Sequence, residues 1–547
     1  MSNATVTLSP QQQTAVDFVT KSGGSGLITA VAGSGKTFTI LEMTKELMAE
    51  IQAAICAFNT SIAAELTLKI SDLKSVLAAV VNVGTVHRFG YKALRAANRL
   101  INPRRDKPSS RKIDWMMDNF RNPESRQIGV PGELRKFVRK TYNLARMTGA
   151  GITPEFPFSR QDKWYDLVDH FDLMDTFEDA DGNLPIDADE LMRQGCKYVV
   201  WLIKWGVELA MTTTRFDYED MLYVPLRLGL RVTPYHIIFV DEAQDLNVTR
   251  RLLVKRMMAP GSRVIFVGDP HQAIYGFTGA DAEAFNNIRK EFGCVDIPLT
   301  YSFRCAQSVV RFAQQWVSHI QAHPDAPEGL SPLDPKAVLT PTQIWQMNLS
   351  HEDAILCRNN APLVEVFFDC LRHGIAARIE GGRDFINDMY DLIRRWSNIR
   401  KLSALRSKIE AYMDKVTEKA ASSGKELKAD KVADTCQAVL AIMDHLSDTG
   451  TVDDLAAKIK EMFGDKDEEP EDRTPVLTLT TIHKSKGREW KRVFWWGRNR
   501  FNPSPYARQQ WQMDQEKNLC YVAATRAKLE LYEVTVPAKN GTMKRAA

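Results

Sequence analysis

Apolar positions along this 547-residue chain fall into two kinds of run. Short unbroken runs end abruptly in polar residues or glycine: "GLITAV" (26–31), "YHIIFV" (235–240), "RVIFVG" (263–268) and "DAILC" (353–357). Such runs, with no polar alternation, predict strands buried on both faces, as in a parallel sheet. The second kind recurs at helical spacing. Ile40, Met43, Leu47 and Ile51 within "KTFTILEMTKELMAEI" (36–51) predict one amphipathic helix. Strands alternating with helices predict an α/β fold. Residues 385–470 are rich in Lys, Glu, Ala and Leu and predict helices. Within them "SSGKELKADK" (422–431) reads as an internal polar loop, and "GDKDEEPEDR" (464–473) as an acidic linker. The apolar stretch "YVVWLIKWGVELAM" (198–211) is broken by Lys204 and Glu208, so it does not read as a membrane span.

Composition narrows the class. The length suits three or four packed units, with 44% hydrophobic and 26% charged residues, as in globular proteins. The start, "MSNATVTLSPQQQ", carries no basic-then-apolar signal pattern. Eight scattered cysteines (56, 196, 294, 305, 357, 370, 436, 520) form no C-x-x-C pair, so they read as reduced core residues of a cytosolic or nuclear protein. The net charge of +4 hides an asymmetry. Residues 91–150 hold 15 Lys and Arg against 5 Asp and Glu, whereas residues 151–190 hold 2 against 12. A block such as "NPRRDKPSSRK" (102–112) suits a phosphate backbone and equally suits a solvated helical face. The acidic "EDADGNLPIDAD" (178–189) is not a calcium loop, because Phe177 and Ala188 fill its two ends where carboxylates are needed.

Candidate chemistry centres on "AVAGSGKT" (30–37), which matches the phosphate-loop pattern G-x-x-x-x-G-K-[ST] except for Ala30. It lies between a predicted strand and a predicted helix, the context the motif needs. Backbone N–H groups of Val31, Ala32, Gly33, Ser34 and Gly35 can wrap a phosphate. Lys36 then reaches the β/γ-phosphates, and the Thr37 hydroxyl holds Mg²⁺. A second signal lies far downstream in "YHIIFVDEAQDLN" (235–247). Asp241, at the strand end, suits Mg²⁺ through its water shell, and Glu242 suits orienting and deprotonating a water. The two together identify a nucleoside-triphosphate-hydrolysing enzyme with Mg²⁺ as cofactor.

Six spaced segments carry a family resemblance: "AVAGSGKT", "VDEAQDLN" (240–247), "VGDPHQAIYGFTGAD" (267–281), "LTYSFRC" (299–305), "LTTIHKSKGREW" (479–490) and "NLCYVAATRAK" (518–528). Their order resembles that of UvrD/Rep/PcrA-type superfamily 1 DNA helicases over nearly the whole chain. The wording of "FNTSIA" (58–63) and "NLCYVAATRAK" is similar to the F-box helicase branch, although no F-box segment precedes the core. The resemblance implies an α/β fold of two RecA-like P-loop lobes with parallel sheets and ATP between them, each carrying a mainly helical insertion. The expected division is 1–90 and 206–298 for the first lobe, with an insertion at 91–205. For the second lobe it is 299–384 and 471–547, with a short insertion at 385–470.

Site residues follow from the same resemblance. It implies that Gln12 reads adenine, Phe303 stacks on it, and Glu489, beside Gly487, accepts from the ribose. Gln272 is implied to sense the γ-phosphate, and Arg304 and Arg526 to be arginine fingers from the opposite lobe. Phe58, Asn59, His87, Tyr275, Phe277, Arg358, Asn360 and His483 are the implied single-strand contacts, aromatic faces for stacking and polar groups for phosphate. The implied activity is an ATP-dependent 3′→5′ DNA helicase and translocase acting on single-stranded and tailed duplex DNA, in repair or recombination, with room for a protein that loads it. A translocase that strips bound proteins with little unwinding is the alternative, because the second insertion is small. A nucleotide-gated binding module with slow turnover is disfavoured by Glu242, Gln272, Arg304 and Arg526. A fused nuclease is not expected in the 19 residues after Lys528.

Overall fold

The computed structural model describes residues 8–73, 80–178, 184–274, 283–380, 383–396, 398–423, 426–447, 449–463, 476–504, 507 and 510–537. The chain forms two compact units that divide between Leu299 and Thr300, except that Val31–Ser34 group with the second. In the first, six strands make one sheet: β1 (Gly26–Ala30), β2 (Gln52–Ala57), β3 (Val80–Thr85), β4 (Tyr235–Val240), β5 (Met258–Gly268) and β6 (Val295–Leu299). They lie in the order β3-β2-β4-β5-β1-β6, and every pairing is parallel. Apolar side chains on both faces explain the unbroken runs. Ile28, Ile55, Phe239 and Ile265 pack on one side, while Leu27, Ile238, Val264 and Phe266 pack on the other.

The second unit repeats the plan. After a short pair, β7 (Tyr301–Ser302) and β8 (Gln321–Ala322), come β9 (Val338–Leu339), β10 (Asp353–Cys357), β11 (Ala377–Glu380), β12 (Leu477–Thr481), β13 (Trp490–Trp496) and β14 (Ala527–Val534). These six form a second all-parallel sheet in the order β11-β12-β10-β13-β14-β9. The α/β class with two parallel sheets expected from the sequence is the observed one.

Several boundaries move. The predicted helix over 36–51 ends at Lys45, where Leu47 turns into the core and Ile51 leads into β2. The expected polar loop at 422–431 is instead helix on both sides, Leu402–Ser423 and Glu426–Met443. Glu, Leu, Lys and Ala are strong helix formers, and that preference outweighs the polarity of the segment. The expected lobe boundaries at 90, 205 and 384 each fall inside a helix: Val86–Ala97, Ala188–Thr212 and Arg383–Arg394.

The helices between β3 and β4 have their own apolar core, including Met116, Phe137, Tyr142, Val199 and Leu202. Four charged side chains are buried beside it. Lys112 Nζ lies 2.5 Å from Asp220 Oδ2, while Arg146 grips Asp217 and Asp220 at 2.9 Å each. All eight cysteines are free and seven are buried. Among the described residues, no helix is long and apolar enough to cross a membrane.

Candidate functional site

Because the first sheet is parallel, all its strands end on one edge, the edge where ligands of open α/β sheets bind. Reading across that edge in sheet order gives His87 after β3, Phe58 after β2, Asp241 and Glu242 after β4, Asp269 and Gln272 after β5, and the glycine loop after β1. Phosphate chemistry therefore sits at one end of a row and the candidate strand contacts at the other.

Ala30 has a physical explanation. It is the last residue of β1, in register with Leu299 and 1% exposed, so its methyl group packs into the core where a glycine would leave a gap. The turn itself is made by glycines. Gly33 has φ +72° and Gly35 φ +78°, a left-handed backbone that side chains disfavour. Gly35 caps the helix Lys36–Lys45, which starts on the two functional side chains.

Lys36 Nζ lies 3.3 Å from Glu242 Oε1, and Thr37 Oγ1 donates to Asp241 Oδ2 at 3.4 Å. Burial and the neighbouring Glu242 charge push the Asp241 carboxyl up to about 7, against the pull of Lys36. Glu242 adopts φ +51°, a strained value for a residue with a Cβ, and such strain clusters at functional turns. Two glutamines brace the turn. Gln244 donates to Glu242 and accepts from Asp269 N at 3.1 Å, and Gln272 Nε2 donates to Asp269 Oδ2 at 2.8 Å. Asp269 is fully buried, and burial raises its pKa. Gln244 was missed by sequence reasoning, although it stands within the quoted "DEAQD". The signal available was its place between two carboxylates.

The donor set fits a hard divalent ion. Thr37 Oγ1 and Asp241 Oδ2 are oxygen donors close enough to share one ion directly or through water. Gln12 is buried and closes a capping box at the start of the helix Pro10–Lys21, its Oε1 accepting from Ser9 N at 3.0 Å. A Cβ at position 35 would lie 3.0 Å from Gln12 Nε2, which places that amide against the loop.

Phe58 and His87 line one cleft with Val86, Asp241, Glu242 and Arg250. His87 Nε2 faces Glu219 Oε1 at 3.7 Å. Asn59, an expected strand contact, stands at the start of a helix. It caps the helix Thr60–Asp72, accepting from Ile62 N at 2.8 Å. Tyr275 and Phe277 lie outside the described residues.

In the second unit Phe303 is 44% exposed, with its ring 4.9 Å from that of His323. Arg304 Nε lies 2.6 Å from Glu489 Oε2, and Lys528 Nζ 2.7 Å from Glu489 Oε1. Burial works against the Glu489 charge, but Lys528 and Arg304 outweigh it and hold its carboxyl below the usual range. Gly487, with φ +83°, has open space where a Cβ would stand.

Four of the expected site residues have partners within the protein or a charge state set by burial. Arg526 is buried and donates to the carbonyls of Val522 and Arg488 at 3.0 Å each. Arg358 donates twice to Glu516 Oε1, at 2.8 and 2.9 Å. Asn360 donates to Asp434 Oδ2 through both its backbone N–H and its amide. Burial and the Arg358 charge push the His483 imidazole down to about 3, so it is neutral and offers no charge to a phosphate. Apart from Val522, four residues before Arg526, these partners are distant in sequence, which spacing does not reveal.

Comparison with known proteins agrees with the geometry. The profile described as the UvrD/REP helicase N-terminal domain matches residues 8–293, and that of the UvrD-like helicase C-terminal domain matches residues 161–536. The chain is similar to the ATP-dependent DNA helicase srs2 of Schizosaccharomyces pombe, with 25% identity over 54% of this chain and 33% of the relative. It resembles DNA helicase II of Haemophilus influenzae with 27% identity over 31% of this chain and 25% of the relative. A shorter stretch, 14% of this chain and 9% of the relative, is 42% identical to F-box DNA helicase protein 1 of S. pombe. The chain thus spans about a third or less of the length of these relatives. With two profiles that each cover more than half of it, the chain belongs to the UvrD/REP helicase family.

Proposed function

We propose that the protein is an ATP-driven motor on DNA that moves 3′→5′ along one strand and separates duplex ahead of it. The observation that carries this reading is the single sheet edge on which the glycine loop, Asp241 with Glu242, Gln272, Phe58 and His87 stand in a row. A shared rigid edge lets a change at the phosphate end move groups at the strand end. Lys36 supplies positive charge to the β/γ-phosphates, and backbone N–H groups of the loop orient them. Mg²⁺, held by Thr37 and Asp241, supplies charge neutralisation at the phosphate oxygens when bound. Glu242 takes the proton of the attacking water, and Lys36 and Gln244 hold its carboxylate in place. Arg304 and Arg526 are the guanidinium groups assigned to the transferring phosphoryl charge. Gln12 and Phe303 are assigned to the base, and Glu489 to the ribose. Phe58, His87, Tyr275 and Phe277 are assigned to the DNA strand.

The 3′→5′ direction and the lobe-and-insertion division rest on the family resemblance. Strand-stimulated ATPase of Lys36→Ala tests the nucleotide reading, with a loss of orders of magnitude expected, whereas Ala30→Gly is expected to change little. Near-normal turnover in Lys36→Ala overturns it. Strand displacement on 3′-tailed, 5′-tailed and blunt duplexes tests direction, and selective unwinding from a 5′ tail overturns it.

One observation favours a second reading, a translocase that strips proteins with little unwinding. The 385–470 helices share one apolar core with the second sheet, where Leu405, Ile409, Val439 and Ile442 pack in the same cluster as Ile355, Leu479 and Phe494. An insertion built into its lobe in this way moves with it and not as a separate arm. A protein-blocked strand added to the displacement assay separates the two readings.

A further inference from the structure

The cleft beside the catalytic carboxylates holds a cation that no motif reading assigns. Arg250 is the third residue of the helix Val248–Arg256, its backbone N–H capped by Asn247 Oδ1 at 2.9 Å. Its guanidinium lies 5.9 Å from the Phe58 ring centroid, and its Nη1 donates to the carbonyl of Asp245 at 3.2 Å. That carbonyl belongs to the turn that carries Glu242, because Asp245 N donates to Glu242 O at 3.0 Å. Arg250 Nε is buried and, among the described residues, has no hydrogen-bond partner. Buried N–H groups are nearly always paired, so an unpaired one in a cleft marks a donor available to a ligand. A guanidinium over an aromatic face, with a spare N–H, suits a nucleotide unit whose base stacks and whose phosphodiester accepts.

We propose that Arg250 is a strand-binding residue, taking a backbone phosphate of the DNA strand that stacks on Phe58. It also acts as the positioning residue that reports this contact to Glu242. One side chain touches the Phe58 face and the carbonyl of the Glu242 turn. A phosphate drawing the guanidinium outward therefore pulls on, or releases, the backbone that sets the hydrolytic carboxylate. The proposal rests on the strand-stimulated ATPase reading and adds to it the residue that links the strand to the site.

The test uses the full chain with Arg250→Gln and Arg250→Lys. Affinity for a fluorescent oligothymidine is measured against salt concentration, alongside the oligonucleotide concentration that half-maximally stimulates ATP hydrolysis. Loss of one phosphate contact is expected to reduce the salt slope by about one in Arg250→Gln. The half-stimulating concentration is expected to rise about tenfold, as for one lost charged hydrogen bond. Arg250→Lys keeps the slope, because the charge remains, and recovers part of the affinity. An unchanged slope and an unchanged half-stimulating concentration in Arg250→Gln overturn the proposal. Weakened nucleotide binding with intact strand binding also overturns it, because the anion is then the nucleotide's. A lowered melting temperature with nucleotide and strand affinity lost in proportion makes Arg250 a strut of the turn, and overturns it as well. A wild-type chain that hydrolyses no ATP refutes the underlying reading instead, so the two failures are distinguishable.

Discussion

Replacing Gly268 by alanine tests whether the Glu242 turn is set by its contact with the end of β5. A Cβ at 268 would stand 2.4 Å from Gln244 Oε1, 3.0 Å from Ala243 N and 3.1 Å from Phe285 Cζ. Ordinary contact begins near 3.4 Å, so the Gln244 amide oxygen must retreat by about 1 Å and the turn's backbone at Ala243 N by about 0.4 Å. Gln244 is the brace between Glu242 and Asp269, so the carboxylate moves with it. A misplacement of about 1 Å costs on the order of 10²-fold in rate. Overpacking of this kind costs about 1–3 kcal/mol in stability, which a unit of this size tolerates.

The control lies in the same strand. Gly261 has φ +73° with nothing within 4 Å of a Cβ, so Gly261→Ala is strained without touching the site. Its cost is about 1–2 kcal/mol of backbone strain. Thermal melts are therefore expected to fall by similar amounts in the two variants. Saturating strand-stimulated turnover is expected to fall about a hundredfold in Gly268→Ala and to persist in Gly261→Ala. Folded Gly268→Ala with turnover near wild type refutes the reasoning, as does Gly261→Ala losing activity to the same degree.

Three further outcomes are expected. Burial pushes the Asp430 carboxyl up to about 6 from 3.8, with Asp434 adding to the rise and Arg358 opposing it. The folded chain then holds this proton where the unfolded chain has released it, so stability falls as pH rises from about 4 to 6 and the penalty stays constant above. Asp430→Asn removes a penalty of up to about 3 kcal/mol, so its melting temperature should exceed wild type at pH 7.5 and match it at pH 4. Lys112→Met leaves the buried pair Asp217 and Asp220 with Arg146 alone and should cost about 3–5 kcal/mol. Tryptophan fluorescence of the insertion, where Trp115 and Trp205 rings lie 5.6 Å apart, reports its early melting. Phe303→Ala should raise the KM for ATP about tenfold, the scale of one lost stacking face, and Phe303→Tyr should restore it.

What the sequence revealed, and what it concealed, divides by range. Strand ends were legible because a strand buried on both faces must be apolar throughout and must stop where its polar residues reach the edge. The residues following β1, β4 and β5 were therefore found together with their strands, whereas Phe58 after β2 and His87 after β3 came from the family resemblance alone. Ala30 was legible as a departure from the motif, but its reason, a packed methyl group in register with Leu299, needed the neighbouring strand. Lys112 ends a basic stretch that reads equally as a phosphate-binding block or a solvated helical face, yet its ammonium is buried between Asp220 and the Gly206 carbonyl. Asp434 was unreadable for the same reason. It receives the N–H groups of Asn360 and Ala361 from more than seventy residues away and so caps the helix Ala361–Arg372. That capping ties the second insertion to its sheet at the end of β10, beside Arg358. Buried charges in both units thus tie together helices distant in sequence. Removing one should loosen those helices before it touches the chemistry, whereas changes along the first sheet edge should do the reverse.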